Sequence, residues 1–366
     1  MNKQIIIFSL LSWDSALLHR DQMLAREFAR TGAKTYFVSR VTRKPWKIFS
    51  KATSEVIDGV NVISVYCLPY FRGRVPLIYS INNYLLARQL KTLDGQVNEE
   101  RVLYVTNPDW DQVLVHFKGE NSTVIYDISD DYPALAKNPG WRKLVEKHEQ
   151  NVIKMAKQFV LTSLGLLGKV VGSRPYVVIT NGVSLQGFAG AKPAISKDKY
   201  DHMVGFIGGI YEWVDLDLLK LTARAYPKVL FVLAGPSNRR TELAEFRKIS
   251  NLRYLGVIPK AEVANYFASF DVGLVPFVSE SVYPRLATVD SGKIYQYLYF
   301  GYPVVSTDYA QARELREVVT VAKTADEFLA KLGEALGEGK TEKRKKFAIQ
   351  NSWENKAKEI LQFIND

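Results

Sequence analysis

Short apolar runs separated by stretches of mixed polarity recur along the whole chain, and their spacing predicts alternating strands and helices. In the first half, QIIIFSL reads as a buried strand, HRDQMLAREFARTG as an amphipathic helix closed by Gly32, and KTYFVSR as a second strand. NVISVYC, VLYVTN, TVIYDIS and QFVLTS continue the series. The second half repeats it with HMVGFIGGI, KVLFVLAG, LRYLGVI, VGLVPF and YPVVST, and helical segments such as AEVANYFASF fall between them. Runs that stay apolar instead of alternating belong to strands covered on both faces, as in a parallel sheet flanked by helices. The pattern therefore predicts an α/β protein of two doubly wound, Rossmann-like domains.

The period breaks over SLQGFAGAKPAISKDKYD, which is rich in Gly, Ser and Lys, and this places a linker at 183–202 between domains spanning 1–182 and 203–350. In the last segment, 351–366, Trp353, Ala357, Ile360, Leu361 and Ile364 follow Ser352 at helical spacing and predict a capped terminal helix.

Composition narrows the class. A chain of 366 residues suits two cores, and 47% hydrophobic with 12% aromatic residues excludes disordered and fibrous classes. Cys67 stands alone, so no internal disulfide is expected, and the four histidines show no metal-ligand spacing. The apolar run near the start is interrupted by Asp14 without a small-residue cleavage site, which argues for a first strand and against a signal peptide. No run reaches the ~18 apolar residues of a membrane span. A cytoplasmic chain, or one peripheral to the cytoplasmic face of the membrane, is expected.

The formal charge of +11 calls for an anionic partner: nucleic acid, anionic lipid headgroups or a phosphorylated small molecule. Between Arg40 and Thr92 nine basic residues (Arg40, Arg43, Lys44, Lys47, Lys51, Arg72, Arg74, Arg88, Lys91) face two acidic ones, interleaved with Trp46, Phe49, Tyr70, Phe71, Leu77, Ile78 and Tyr79. Such a mixture suits the anionic inner leaflet of a membrane, and equally a solvated basic face over ordinary core aromatics. No nucleic-acid motif accompanies the charge.

The stretch DSGKIYQYLYFGYPVVST carries the candidate chemistry. With Ser291 as cap and Gly292 opening a helix, Lys293 falls in the first turn, where free N–H groups and the helix dipole already favour an anion. Gln296 lies three residues on, on the same face, and can both donate to and accept from sugar hydroxyls. The pair suits a nucleotide diphosphate and its ribose; the same letters also fit a solvated helix face. Gly208 and Gly209 end the first strand of the second half, where backbone N–H groups can approach a diphosphate.

Taken together, ITNGV at the domain junction, LAGP, YLGVIPKAEVANYFASFDVGLVPF, FGYPVVST and the terminal SWENKAKEIL resemble the GT-B glycosyltransferases over nearly the whole chain. The resemblance implies two Rossmann-like domains facing each other across a cleft, with the terminal helix crossing back to the first. Many retaining members carry two glutamates where this chain has Thr288 and Gln296. The Lys-x-x-Gln pair is instead similar to the bacterial exopolysaccharide glucuronosyltransferase family of the xanthan pathway. That resemblance implies an inverting transfer of glucuronic acid from a UDP-sugar to a lipid-linked oligosaccharide, with Lys293 and Gln296 holding the donor. It also implies an aromatic contact to the nucleotide, for which Phe277 stands where a tyrosine is expected; Gly292 replaces a larger residue beside the lysine.

Inversion requires a base for the acceptor hydroxyl. YDISDDYPALA ends a strand in three acids at the carboxyl edge, where open α/β sheets place ligands. The family's Tyr-x-x-Ser-Asp context assigns the role to Asp130, with Tyr126 and Ser129; capping of the next helix by Asp130 or Asp131 is the plainer reading. His19 is a competing base by analogy with other inverting GT-B enzymes, and Trp13 and Asp14 in the same loop are candidate acceptor contacts. No Asp-x-Asp metal site is evident, VDLDLL reading as a helix, so a reaction without cofactor or metal is expected. The other open readings are a retaining GT-B enzyme using another nucleotide sugar, and a non-catalytic basic protein that binds nucleic acid or membrane.

Overall fold

The computed structural model describes residues 4–9, 11–15, 19–42, 44–69, 76–91, 100–116, 121–136, 138–170 and 172–366. Arg43, Tyr70, Phe71, Arg72 and Arg74 of the basic, aromatic stretch lie outside the described residues. The chain divides into two compact units, Met1–Thr180 with Lys356–Asp366, and Asn181–Asn355.

Among the described residues the first unit is built on eight strands: β1 (Gln4–Phe8), β2 (Lys34–Val41), β3 (Thr53–Ile57), β4 (Val60–Tyr66), β5 (Arg101–Val105), β6 (Ser122–Ile128), β7 (Gln158–Leu161) and β8 (Tyr176–Val178). Their order is β3-β4-β2-β1-β5-β6-β7-β8, and only the β3–β4 pair is antiparallel. Chain order reverses direction between β1 and β5, the switch point where such sheets take ligands. β3 escapes hydrophobic patterning because its residues face solvent. Its signal is the turn: Asp58 and Gly59 both adopt positive φ, 52° and 78°, the Asp-Gly geometry that joins two antiparallel strands.

The second unit holds β9 (His202–Ile207), β10 (Val229–Ala234), β11 (Leu252–Tyr254), β12 (Val272–Val275), β13 (Val304–Thr307) and β14 (Thr320–Ala322). All run parallel in the order β11-β10-β9-β12-β13-β14. This is the 3-2-1-4-5-6 winding of a Rossmann domain, with its switch point between β9 and β12. Its strands are almost wholly buried, which explains why they read as unbroken apolar runs.

The segment 183–202, expected as a linker, belongs to the second unit. Ser184 caps a short helix, Leu185–Phe188, and Phe188 packs into the core against Phe267, Tyr299 and Phe300. Its Gly and Lys content masked a segment held by the buried side chains of Val183, Phe188 and Tyr200. The terminal helix forms over Trp353–Asn365. Ser352 Oγ accepts from the Asn355 N–H at 3.3 Å, as a cap should, and Lys356–Asp366 count with the first unit.

Candidate functional site

The helix Gly292–Tyr299 is seated on its sheet by aromatic rings. Tyr297 donates to the Gly205 carbonyl at 2.8 Å, and its ring lies so close to β12 that a Cβ at Gly273 would stand 2.3 Å from it. Ile294, Tyr295 and Leu298 are buried beside it. With that face committed to the core, Lys293 and Gln296 fall on the less buried side, and the amino end of the helix meets the carboxyl ends of β9 and β12.

Lys293 runs back over Gly208, the first residue after β9. A Cβ at Gly208 would lie 2.8 Å from the lysine Cε and 3.3 Å from its Nζ, and Gly208 has φ +155°. The ammonium sits 5.0 Å from the Phe206 ring centre and 5.2 Å from that of Phe277, and donates to Ser291 Oγ at 2.9 Å. Among the described residues no carboxylate pairs with it. Burial without a counter-charge lowers its pKa to about 8, because the enclosed site disfavours the charged form.

Ser291 occupies the cap position but makes no side-chain cap bond to the helix; its hydroxyl serves the lysine. The cap's geometry is held from the other side. Gln311 Oε1 accepts from the Ser291 N–H at 2.6 Å and from the Tyr309 hydroxyl at 2.8 Å, while its amide donates to the Asp290 carboxylate. That carboxylate also accepts from the Asn181 N–H and from the Tyr295 hydroxyl. Sequence reasoning missed Asp290 and Gln311, which lie twenty-one residues apart and show no pattern. A helix amino end without a side-chain cap, an unpaired ammonium and a glycine turn are together the components of a phosphate site.

The other expected donor residues take different parts. The Gln296 side chain makes no hydrogen bond among the described residues, and Gly209 follows Gly208 with the Tyr211 ring 2.5 Å from where its Cβ would be. At Gly292 a Cβ would meet only Asn181 Cβ at 3.8 Å, so space does not demand the glycine. Phe277, expected as a nucleotide contact, is 2% exposed, packs edge-on against Tyr309 and Phe206, and has its ring centre 5.2 Å from the Lys293 ammonium.

In the first unit the three acids after β6 separate by environment. Asp127 is buried and bound to Arg20 Nε at 2.8 Å and to the Tyr104 hydroxyl at 2.7 Å. Asp131 pairs with Lys169 at 2.9 Å and, although it begins the helix Tyr132–Leu135, does not cap it with its side chain. Asp130, partly exposed, accepts from the Asp131 N–H at 2.8 Å. The Tyr132 hydroxyl binds Ser129 Oγ at 2.9 Å and the Thr106 carbonyl, tying the β6 turn to the end of β5.

His19 precedes the helix Arg20–Arg30, and its N–H donates to Gln22 Oε1 at 3.1 Å. Asp21, two residues on, binds Ser9 Oγ; burial raises its pKa, and the nearby His19 opposes that rise. Trp13 is an anchor of its loop: it packs edge-on to Phe37 at 4.9 Å, lies under Arg26 at 4.6 Å and accepts from Gln22 at 2.9 Å through its carbonyl. Asp14 is exposed. Among the described residues no group of three His, Cys, Asp or Glu side chains is arranged to hold a metal ion.

Two Rossmann-like domains with mainly parallel sheets match the GT-B fold, and part of the second unit is similar to glycosyltransferases. Residues 201–338 match the family model described as "Glycosyl transferases group 1". A Bacillus subtilis (strain 168) protein named as a teichuronic acid biosynthesis glycosyltransferase, TuaH, is 24% identical over 269 residues, which are 66% of this chain and 66% of that protein. Among solved structures, a sucrose-phosphate synthase from Thermosynechococcus elongatus superposes with TM-score 0.69 at 14% identity, covering 99% of this chain and 98% of the other. An α,α-trehalose-phosphate synthase (UDP-forming) from Burkholderia vietnamiensis does so with TM-score 0.71 at 12% identity, covering 98% and 96%. An E. coli trehalose-6-phosphate structure bound with UDP-2-fluoro glucose gives TM-score 0.72 at 13% identity, covering 98% of both chains.

Proposed function

We propose that this chain is an inverting glycosyltransferase of surface polysaccharide synthesis, moving glucuronic acid from UDP-glucuronate to a lipid-linked oligosaccharide. One observation carries the reading: the Lys293 ammonium, without a carboxylate partner among the described residues, stands at the uncapped amino end of its helix over Gly208. A diphosphate placed there gains a full counter-charge and backbone donors at once. The name of the B. subtilis relative, a teichuronic acid biosynthesis glycosyltransferase, supports the process, and the UDP-sugar in the E. coli structure supports the donor class.

In the proposed reaction Asp130 takes the proton of the acceptor hydroxyl as that oxygen bonds to the anomeric carbon and the bond to the diphosphate breaks. Lys293 and the helix N–H groups meet the charge that develops on the departing UDP, so turnover is expected to persist in EDTA. Gln296 holds donor hydroxyls. The test is UDP release across a panel of UDP-sugars, with NMR of the product. Turnover with UDP-glucuronate, giving a β-linked product from the α-linked donor, is expected. Activity with UDP-glucose and none with UDP-glucuronate overturns the donor, and an α-linked product overturns inversion.

A further inference from the structure

The outer face of the helix Pro76–Leu90 carries Leu77, Ile81 and Tyr84, which are 69%, 40% and 70% exposed. Helical spacing sets them in one stripe, and Arg88 and then Lys91 prolong it with exposed cations. Beside the helix runs segment 44–51, where Trp46 and Phe49 are 73% and 71% exposed. Gln89 ties the two together: its amide donates to the Ile48 carbonyl at 3.4 Å and to the Tyr66 carbonyl at 2.7 Å, and its oxygen accepts from the Tyr66 N–H at 2.8 Å. Lys44, Lys47 and Lys51 flank the two aromatics, and neither 44–52 nor 76–91 contains an acidic residue.

The opposite face of the helix is fixed. Leu85, Leu86 and Leu90 are buried, Asn82 binds both the N–H and the carbonyl of Leu68 at 2.8 Å, and Tyr79 donates to Asp109 at 2.7 Å. Tyr79 is therefore part of the core and not of the surface that its position in the sequence suggests. What remains outside is a rigid apolar stripe bordered by cations.

We propose that this face of the first unit docks on an anionic lipid bilayer, with Trp46, Phe49, Leu77, Ile81 and Tyr84 entering the interface and the lysines and Arg88 meeting headgroup phosphates. Five large apolar side chains need a hydrocarbon boundary, which a nucleic acid lacks. A two-fold copy of the chain would set the cations against themselves. Only a surface both apolar and negatively charged answers both halves of the patch. The proposal concerns the first unit alone and does not depend on the donor assignment.

The test is sedimentation of the full chain with vesicles of phosphatidylcholine alone and of phosphatidylcholine mixed with phosphatidylglycerol. Binding to the mixed vesicles is expected, weakened about tenfold or more in Trp46→Ser/Tyr84→Ser through lost apolar burial. Lys51→Gln/Arg88→Gln should weaken it about fivefold per cation and blunt its dependence on anionic lipid. Brominated lipid should quench the wild-type fluorescence more than that of Trp46→Phe. Equal pelleting with both vesicle types, variants that bind like the wild type, or a concentration-dependent dimer abolished by Trp46→Ser/Tyr84→Ser overturns the proposal.

Discussion

Lys293 Nζ lies 2.9 Å from Ser291 Oγ, so the residue that opens the helix gives its hydroxyl to the lysine and leaves the helix N–H groups without a side-chain cap. A helix end so arranged is stable only at a cost, because amide donors without a side-chain cap and a cation with no carboxylate partner among the described residues are held together. The arrangement makes sense when a diphosphate completes it.

Replacing Lys293 by Met tests both halves of that statement. The variant should lose UDP affinity by about a hundredfold, in keeping with the loss of a partly desolvated charge-assisted contact worth ~2–3 kcal/mol. It should also gain stability, since burying methionine carries no charge penalty. Isothermal calorimetry and thermal melts without ligand read the two effects. A destabilised variant would contradict the reading.

The pH dependence follows from the same group. Its folded pKa, about 8, lies below the unfolded value, so between them the unfolded chain holds more protons. Below pH 8 the cost of burying the charge is fully present; it fades as pH rises toward 10.5, and unliganded stability should improve across that window. UDP binding goes the other way, because the anion needs the charged lysine. Affinity should fall about tenfold between pH 7 and pH 9, a slope that Lys293→Met should lose.

Gly208→Ala should displace the lysine. The new Cβ would lie 2.8 Å from Lys293 Cε in a backbone conformation unfavourable to any side chain. UDP affinity should drop at least about tenfold by the proximity and orientation it disturbs. Gly292→Ala, whose nearest neighbour would be 3.8 Å away, should bind UDP like the wild type.

Asp130→Asn should lower kcat by about 10²–10⁴-fold with little change in donor KM, as loss of a positioned base does. Asp127→Asn provides the contrast. It breaks a buried ion pair with Arg20 and should lower the melting temperature before it affects chemistry.

The strands and the two doubly wound domains were legible because β9, β10 and β12 are buried on both faces and leave long apolar runs, whereas the order of the strands in each sheet was not. Lys293 was legible for a local reason: its distance from the helix start is fixed by 3.6-residue geometry. Asp290 and Gln311 were not, since their bond spans separate elements and depends on tertiary packing. The burial of Phe277 was not legible, because its position in the sequence says nothing about the Tyr309 and Phe206 rings that pack against it. The packing of segment 183–202 into the second unit was not legible because three buried side chains, Val183, Phe188 and Tyr200, outweigh a polar composition.

The first unit is discontinuous in the chain: its final stretch, Lys356–Asp366, follows all of Asn181–Asn355, and Gln158 donates to the Phe363 carbonyl at 3.0 Å. During synthesis on the ribosome the amino-terminal unit therefore emerges early but must wait for its last segment until the entire other unit has been translated. Ile360 and Ile364, buried once the helix is in place, have no counterpart in the nascent amino-terminal fragment.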